Sequence, residues 1–590
     1  MIKKLSRSIR EYKKASILSP LFVSLEVIME CVIPFIMAKL IDEMNGEDLN
    51  KVLIYSFVLV SMALLSLLFG ILSGKYCATA SAGFAKNLRK DLFGKVQDFS
   101  FSNIDRFSSS SLVTRLTTDV GNVQMSFMMI IRTAVRAPFM LTFSMVMAFI
   151  ICAEFAWVFV IIIPVLTFIL LMIIKKAMPL FNQVFKKYDA VNNSVQENIN
   201  GIRVVKSFVR EDYEKAKFET SANDVCKDFT KAERIVAFNG PAMQMSVYAL
   251  NILISFLGAQ LIVKTFGGYD AYGNPIWGVM STGELSSLIT YGIQTLASLM
   301  MLSMIFVIIT ISLASAKRIV EVLDEKSDIK NPENPLYEVA NGDISFRNVS
   351  FKYSKTAKKN AIDSINVEIN AGETVGIIGG TGSSKTTLVQ LISRLYDATS
   401  GEVFVGGHNV KEYDLKVLRD AVSVVLQKNV LFSGSIEENI KWGNLDASFD
   451  EVVHVCKLAQ AHEFIEGFPQ KYNTYIEQGG TNVSGGQKQR LCIARALLKK
   501  PKILILDDST SAVDTKTDAL IRKAFKEEIP HTTKIIIAQR ISSVCDADKI
   551  IVMNNGKIDA IGTHNELLKS NSIYQEVYKS QNRVGGDDNE

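Results

Sequence analysis

Six apolar segments, near residues 17–41, 53–74, 127–152, 155–175, 237–263 and 285–312, dominate the first half of this 590-residue chain. A helix needs roughly 20 apolar residues to cross a bilayer, so each segment is long enough to span one. The remainder has the composition of a soluble α/β protein, and the chain is too long for one compact domain. A membrane domain of six helices is expected over residues 1–316, a linker over 317–342, a soluble domain over 343–580 and a polar tail over 581–590. The net charge of +5 is small for this length. It argues against a dedicated nucleic-acid binder and fits a membrane protein with basic edges.

Basic residues set the orientation. The basic N-terminus, Lys86, Arg89 and Lys90, Lys175 and Lys176, and Lys317 and Arg318 fall on one side if both termini are cytoplasmic. The first segment carries Glu26 and Glu30 and lacks a small-residue cleavage pattern, so it reads as a retained anchor. The seven cysteines are scattered, with no CxxC and no Cys/His cluster, which suggests neither disulfides nor zinc.

The connections are unequal. Cys152-Ala153-Glu154 leaves room only for a tight turn, and the longest external link, around Gly267 to Pro275, is short and turn-rich. The internal links, 75–126 and 176–236, are long and helix-compatible. Each is expected to present a short crossing helix, around Ile104-Asp105-Arg106-Phe107 and around Arg210-Glu211-Asp212-Tyr213. Charges inside spans are costly. Glu26 and Glu30 lie one helical turn apart, as do Arg132 and Arg136. The two pairs sit at similar depth, so they can pair across helices, as an ion pair or as a polar patch in a cavity. Pro34 and Pro164 are expected to kink their helices.

In the soluble half, apolar strands at 375–378, 422–426, 503–506 and 535–538 alternate with amphipathic helices, the pattern of a mainly parallel sheet. The first strand runs into Gly379-Gly380-Thr381-Gly382-Ser383-Ser384-Lys385-Thr386-Thr387 and then a helical segment. Such a loop turns backbone N–H groups toward an anion, lets Lys385 reach terminal phosphates and gives Mg²⁺ the Thr386 hydroxyl. Ser384 stands where the GxxxxGK[ST] pattern has its second glycine. The strand ending in Asp507 supplies a carboxylate to hold Mg²⁺ through water. Between them, Val483-Ser484-Gly485-Gly486-Gln487 opens another helix.

With these motifs the chain resembles the ATP-binding cassette exporters over essentially its whole length. The resemblance implies six long helices in the type I exporter fold, fused to an α/β P-loop nucleotide-binding domain. It makes Ser484, Gly485, Gly486 and Gln487 the signature used in trans, and Gln427, in Val425-Leu426-Gln427-Lys428, the Q-loop ligand of Mg²⁺. Tyr353 becomes the aromatic that stacks on adenine, and Ser511-Ala512-Val513-Asp514 the D-loop. The cofactors are then ATP and Mg²⁺. The internal links match coupling helices, and a second half-transporter is required because each ATP lies between two chains.

Two positions depart from the family pattern. Asp507 is followed by Asp508 where a glutamate polarises water, which retracts the carboxylate by about one C–C bond, ~1.5 Å. Misplacement by ~1 Å can cost ~100-fold in rate. Gln539 replaces the switch histidine; it donates a hydrogen bond without an imidazole's titration. With Ser384, these changes fall in one site while the signature is intact. The expected function is export of amphipathic small molecules, drugs or lipids, by a heterodimer of the multidrug type in a bacterial plasma membrane. In that pair this chain's own site turns over slowly. A peptide exporter, an ATP-switched regulatory membrane protein and an active homodimer are the alternatives.

Overall fold

The computed structural model describes residues 1–44, 49–268, 276–354, 357–509 and 512–583. Residues 269–275 of the external link, Ser511 and residues 584–590 of the tail lie outside them. The chain divides into two compact units, one formed by Met1–Gln97 and Ser109–Glu325, the other by Asp98–Ser108 and Lys326–Glu590.

The first unit is helical, and among the described residues six helices are long and apolar enough to cross a membrane. At 1.5 Å per residue, the 49 residues of Leu49–Gln97 extend about 70 Å, more than twice the ~30 Å hydrocarbon core. The helices therefore run well beyond the apolar segments. Cys152 alone, with φ −153° and ψ 102°, separates Thr133–Ile151 from Ala153–Asn200, which is the tight turn expected there.

Helix Lys13–Met44 stays continuous through Pro34, although proline removes one backbone donor and frees carbonyls a turn earlier. Side chains of helix Thr282–Asp324 donate to backbone carbonyls on either side of the proline turn. The Tyr291 hydroxyl donates to the Cys31 carbonyl at 2.6 Å, and Ser287 donates to the Pro34 carbonyl at 2.5 Å. In lipid, where water cannot serve, such donors keep a proline-containing span intact.

The intramembrane charges meet. Arg136 contacts Glu26 at 2.5 Å and Glu30 at 2.8 Å. Both ion pairs are Arg136's, while Arg132 lies against Gly74, where an added Cβ would come within 3.6 Å of its Nη1. Gly70, one turn earlier, leaves room in the same way for Glu26.

The second internal link differs from expectation. Its short helix is Ile202–Ser207, and Arg210 precedes helix Glu211–Ala237. Glu211, Asp212 and Glu214 crowd the first turn of that helix, where the macrodipole favours carboxylates. Residues 210–213 are thus a helix start, and the turn before them bends at Val209, with φ 51°.

The second unit carries β1 (Ile344–Phe351), β2 (Ile362–Ile369), β3 (Thr374–Ile378), β4 (Ser400–Val405), β5 (His408–Asn409) and β6 (Val422–Val425). It continues with β7 (Gly434–Ser435), β8 (Tyr475–Ile476), β9 (Ile503–Asp507), β10 (Thr533–Ile537), β11 (Lys549–Asn554) and β12 (Lys557–Gly562). The main sheet has the order β12-β11-β3-β10-β9-β6, with every pairing parallel except β11 with β12. A smaller antiparallel sheet runs β2-β1-β4-β5. Strands β9 and β10 are buried throughout, as befits central parallel strands covered on both faces. Ile537 pairs with both Ile377 and Asp507, so the carboxyl ends of β3, β9 and β10 align. Ligands of open α/β sheets bind at this edge.

The first crossing helix, Phe101–Phe107, forms where it is expected and is capped reciprocally by Ser100 and Asn103. Its segment clusters with the sheet unit. There Ser100 and Ser102 donate to Asp328, at 2.5 and 2.7 Å.

Candidate nucleotide site

The loop after β3 is shaped by two left-handed backbone conformations. Gly382 has φ 82° and Ser384 has φ 70° and ψ 27°, and Ser384 caps helix Lys385–Ile392. A left-handed conformation costs an L-residue about 1–2 kcal/mol, so Ser384 adopts a glycine's backbone with a Cβ attached. Gly380 and Gly382 have nothing within 4 Å of an added Cβ; that face of the loop is open to a ligand.

Lys385 curls back over the loop, donating to the carbonyls of Gly379 at 2.7 Å and Gly380 at 3.0 Å. Burial pulls its ammonium below the usual lysine range, an effect partly offset by Asp507 and Asp508. Burial pushes the Asp507 carboxyl up, while a hydrogen bond with Thr386 pulls it down. A lysine and a carboxylate that both lose solvation here suit a ligand bringing phosphate charge and a divalent cation. The nearby donors, the Thr386 hydroxyl, the Asp507 carboxylate and the Gln427 amide, are hard oxygens of the kind Mg²⁺ prefers. The group fits.

Asp508 sits at φ 49°, and its N–H donates to the Ile537 carbonyl at 3.0 Å. Its Oδ2 accepts from Gln539 Nε2 at 2.8 Å and Gln427 Nε2 at 3.4 Å. Thus Asp508 and Gln539, the two positions singled out in the sequence, touch one another.

A single cavity of about 470 Å³ is lined by Gly379, Gly380, Thr381, Gly382, Ser384, Lys385, Thr386, Thr387, Gln427, Asp507, Asp508 and Gln539. Ser383 turns inward, only 5% exposed. Tyr353 is not in the cavity wall; its hydroxyl lies 2.8 Å from that of Thr387, and its ring is half exposed. Ser484, Gly485, Gly486 and Gln487 also lie away from the cavity. The Ser484 hydroxyl accepts from the Gln487 N–H at 3.3 Å, capping helix Gly485–Leu498. Asp514 caps helix Thr515–Glu528 through the Thr517 N–H at 2.9 Å.

Three residues here escaped sequence reasoning. Tyr396 donates to Asp105 of the crossing helix at 2.6 Å and meets Phe101 edge-on, with ring centroids 6.0 Å apart. It also packs edge-on against Tyr353 at 5.3 Å, so aromatic contacts run from the crossing helix to Thr387 on the cavity. The other two are Val577, which lines the cavity, and Gln581, which holds the loop after β10. A lone tyrosine and two residues of a polar helix carry no motif.

Residues 16–272 match the ABC transporter transmembrane region family, and residues 362–511 match the ABC transporter family. An uncharacterized ABC transporter ATP-binding protein of Bacillus subtilis, YfiB, is 36% identical over 94% of each chain. An uncharacterized ABC transporter ATP-binding protein of Mycobacterium tuberculosis, Rv1273c, is 31% identical over 99% of each. A solved bacterial Atm1-family ABC exporter with ATP bound superposes with a TM-score of 0.82, at 24% identity, over 96% of this chain and 99% of that one, which places the fold in the type I exporter class. The chain belongs to the ABC transporters, with a transmembrane region and an ATPase domain fused in one polypeptide.

Proposed function

We propose that this chain is the unequal half of a heterodimeric exporter, holding an ATP that turns over slowly and completing a faster site on its partner. The observation that carries this reading is the contact between Asp508 and Gln539. A shortened carboxylate and an amide without imidazole chemistry occupy the positions that position water and face the terminal phosphate, and they are engaged with each other.

In the site itself, Lys385 would exchange its loop carbonyls for phosphate oxygens. Thr386, Gln427 and, through water, Asp507 would hold Mg²⁺, which when bound neutralises phosphate charge. Tyr353 would release Thr387 to present its ring to adenine. Binding is thereby retained while activation of water is impaired. The signature residues stand clear of this chain's own cavity, which supports their use by the partner's nucleotide.

The six spans and bacterial relatives support a multi-pass protein of a bacterial plasma membrane with both termini cytoplasmic. An amphipathic small molecule, drug or lipid, is the proposed cargo. ATPase activity of the chain alone and together with its partner tests the division of labour. Substrate-stimulated ATPase and flux in vesicles test export, and nucleotide binding without flux would instead establish an ATP-switched regulator.

A further inference from the structure

One helix outside the recognised motifs reaches the nucleotide cavity. Val577 of helix Ser572–Arg583 lines it together with Gln539. One turn further along, the Gln581 amide grips the loop after β10 at two points. Its Nε2 donates to the Gln539 carbonyl at 2.7 Å, and its Oε1 accepts the Ile541 N–H at 2.9 Å. The helix is itself anchored. Tyr574 is fully buried with its hydroxyl 2.7 Å from His564 Nδ1, and its N–H donates to Asn571 Oδ1 at 2.9 Å. Asn571 in turn donates to Asp559 at 2.6 Å.

Two hydrogen bonds from one amide fix the peptide planes on either side of Arg540, and with them the direction in which the Gln539 side chain leaves the backbone. We infer that Gln581 is a positioning residue for Gln539, and that helix Ser572–Arg583 thereby sets the preference of this site for ATP over ADP. The inference rests on the proposed placement of Gln539 toward the terminal phosphate.

The test is binding of fluorescent AMP-PNP and ADP, with Mg²⁺, to the full-length chain in nanodiscs. Gln581→Leu removes both hydrogen bonds and is expected to weaken AMP-PNP roughly fivefold, the worth of about one hydrogen bond, with ADP changed less than about twofold. Gln581→Glu keeps the acceptor for Ile541 and should lie between wild type and Gln581→Leu. Adding Gln581→Leu to Gln539→Ala should cost nothing further, because residues acting through one another are not additive. Unchanged AMP-PNP binding, equal losses for both nucleotides, or additive losses in the double variant would each overturn the inference. A wild-type chain that binds no AMP-PNP would instead overturn the reading of the cavity as an ATP site.

Discussion

Gln539 donates a hydrogen bond to Asp508 across the carboxyl edge of the sheet, at 2.8 Å. The pairing follows from strand register, since Ile537 of β10 lies beside Asp507 of β9 and brings Asp508, one residue past β9, and Gln539, two residues past β10, into reach. The aspartate, with φ 49°, stays within reach of the two amides. Two residues far apart in sequence are thus in direct contact in space.

Ser384→Gly is expected to raise stability. It relieves the left-handed serine, worth about 1 kcal/mol, which corresponds to a melting shift of about 2–4 °C for a domain of this size. It should also tighten ATP binding by removing the Cβ beside the phosphates. A melting curve without nucleotide and an ATP titration check both; a lowered melting temperature would show that the serine is not strained.

Asp507→Asn separates stability from function. Burial raises the Asp507 carboxyl above its unfolded value, so the folded state holds its proton more tightly than the unfolded chain does. The unfavourable contribution is absent below the unfolded value of about 4, grows as pH rises through the raised value and is complete above it. The asparagine variant should therefore melt higher than wild type at pH 7 and no higher at pH 4, while losing Mg²⁺-dependent ATP binding. Melting curves at the two pH values, without nucleotide, measure the difference.

Arg136→Met strands two carboxylates in the helical unit. Removing one partner from a buried ion pair costs about 3–5 kcal/mol, so the variant should melt well below wild type in detergent. Adding Glu26→Gln and Glu30→Gln should recover most of the loss. A single variant as stable as wild type would mean that the contact is not formed in the membrane.

Tyr396→Phe removes the hydrogen bond to Asp105 while leaving the ring among Phe101, Phe351 and Tyr353. ATP affinity should change less than about twofold, whereas substrate-stimulated ATPase in the assembled transporter should fall several-fold, near the worth of about 1 kcal/mol. Parallel losses in both would mark Tyr396 as purely structural.

Much of this was legible in the sequence because it is dictated locally. Span length follows from bilayer thickness, and the glycine-rich run from Gly379 to Gly382 before Lys385 and Thr386 marks a loop that turns about an anion. The pairing of Glu26 and Glu30 with an arginine followed from the cost of charge in a span, though only geometry chose Arg136 over Arg132. The short helix of the second internal link lies earlier, at Ile202–Ser207, because the acidic residues Glu211, Asp212 and Glu214 open the long helix that follows. Tyr396 and Gln581 were invisible for another reason. Each acts through partners far along the chain, Asp105 and Gln539, and neither has a spacing or composition that betrays the contact.

The most direct test is steady-state ATPase activity of this chain purified alone, beside the same chain assembled with its partner half. The chain alone is expected to run at roughly a hundredth of the assembled rate or less, as misplacement of the water-polarising carboxylate by ~1 Å implies. Turnover by the chain alone comparable to the pair, undiminished by Asp508→Ala, would contradict the assignment of an unequal site.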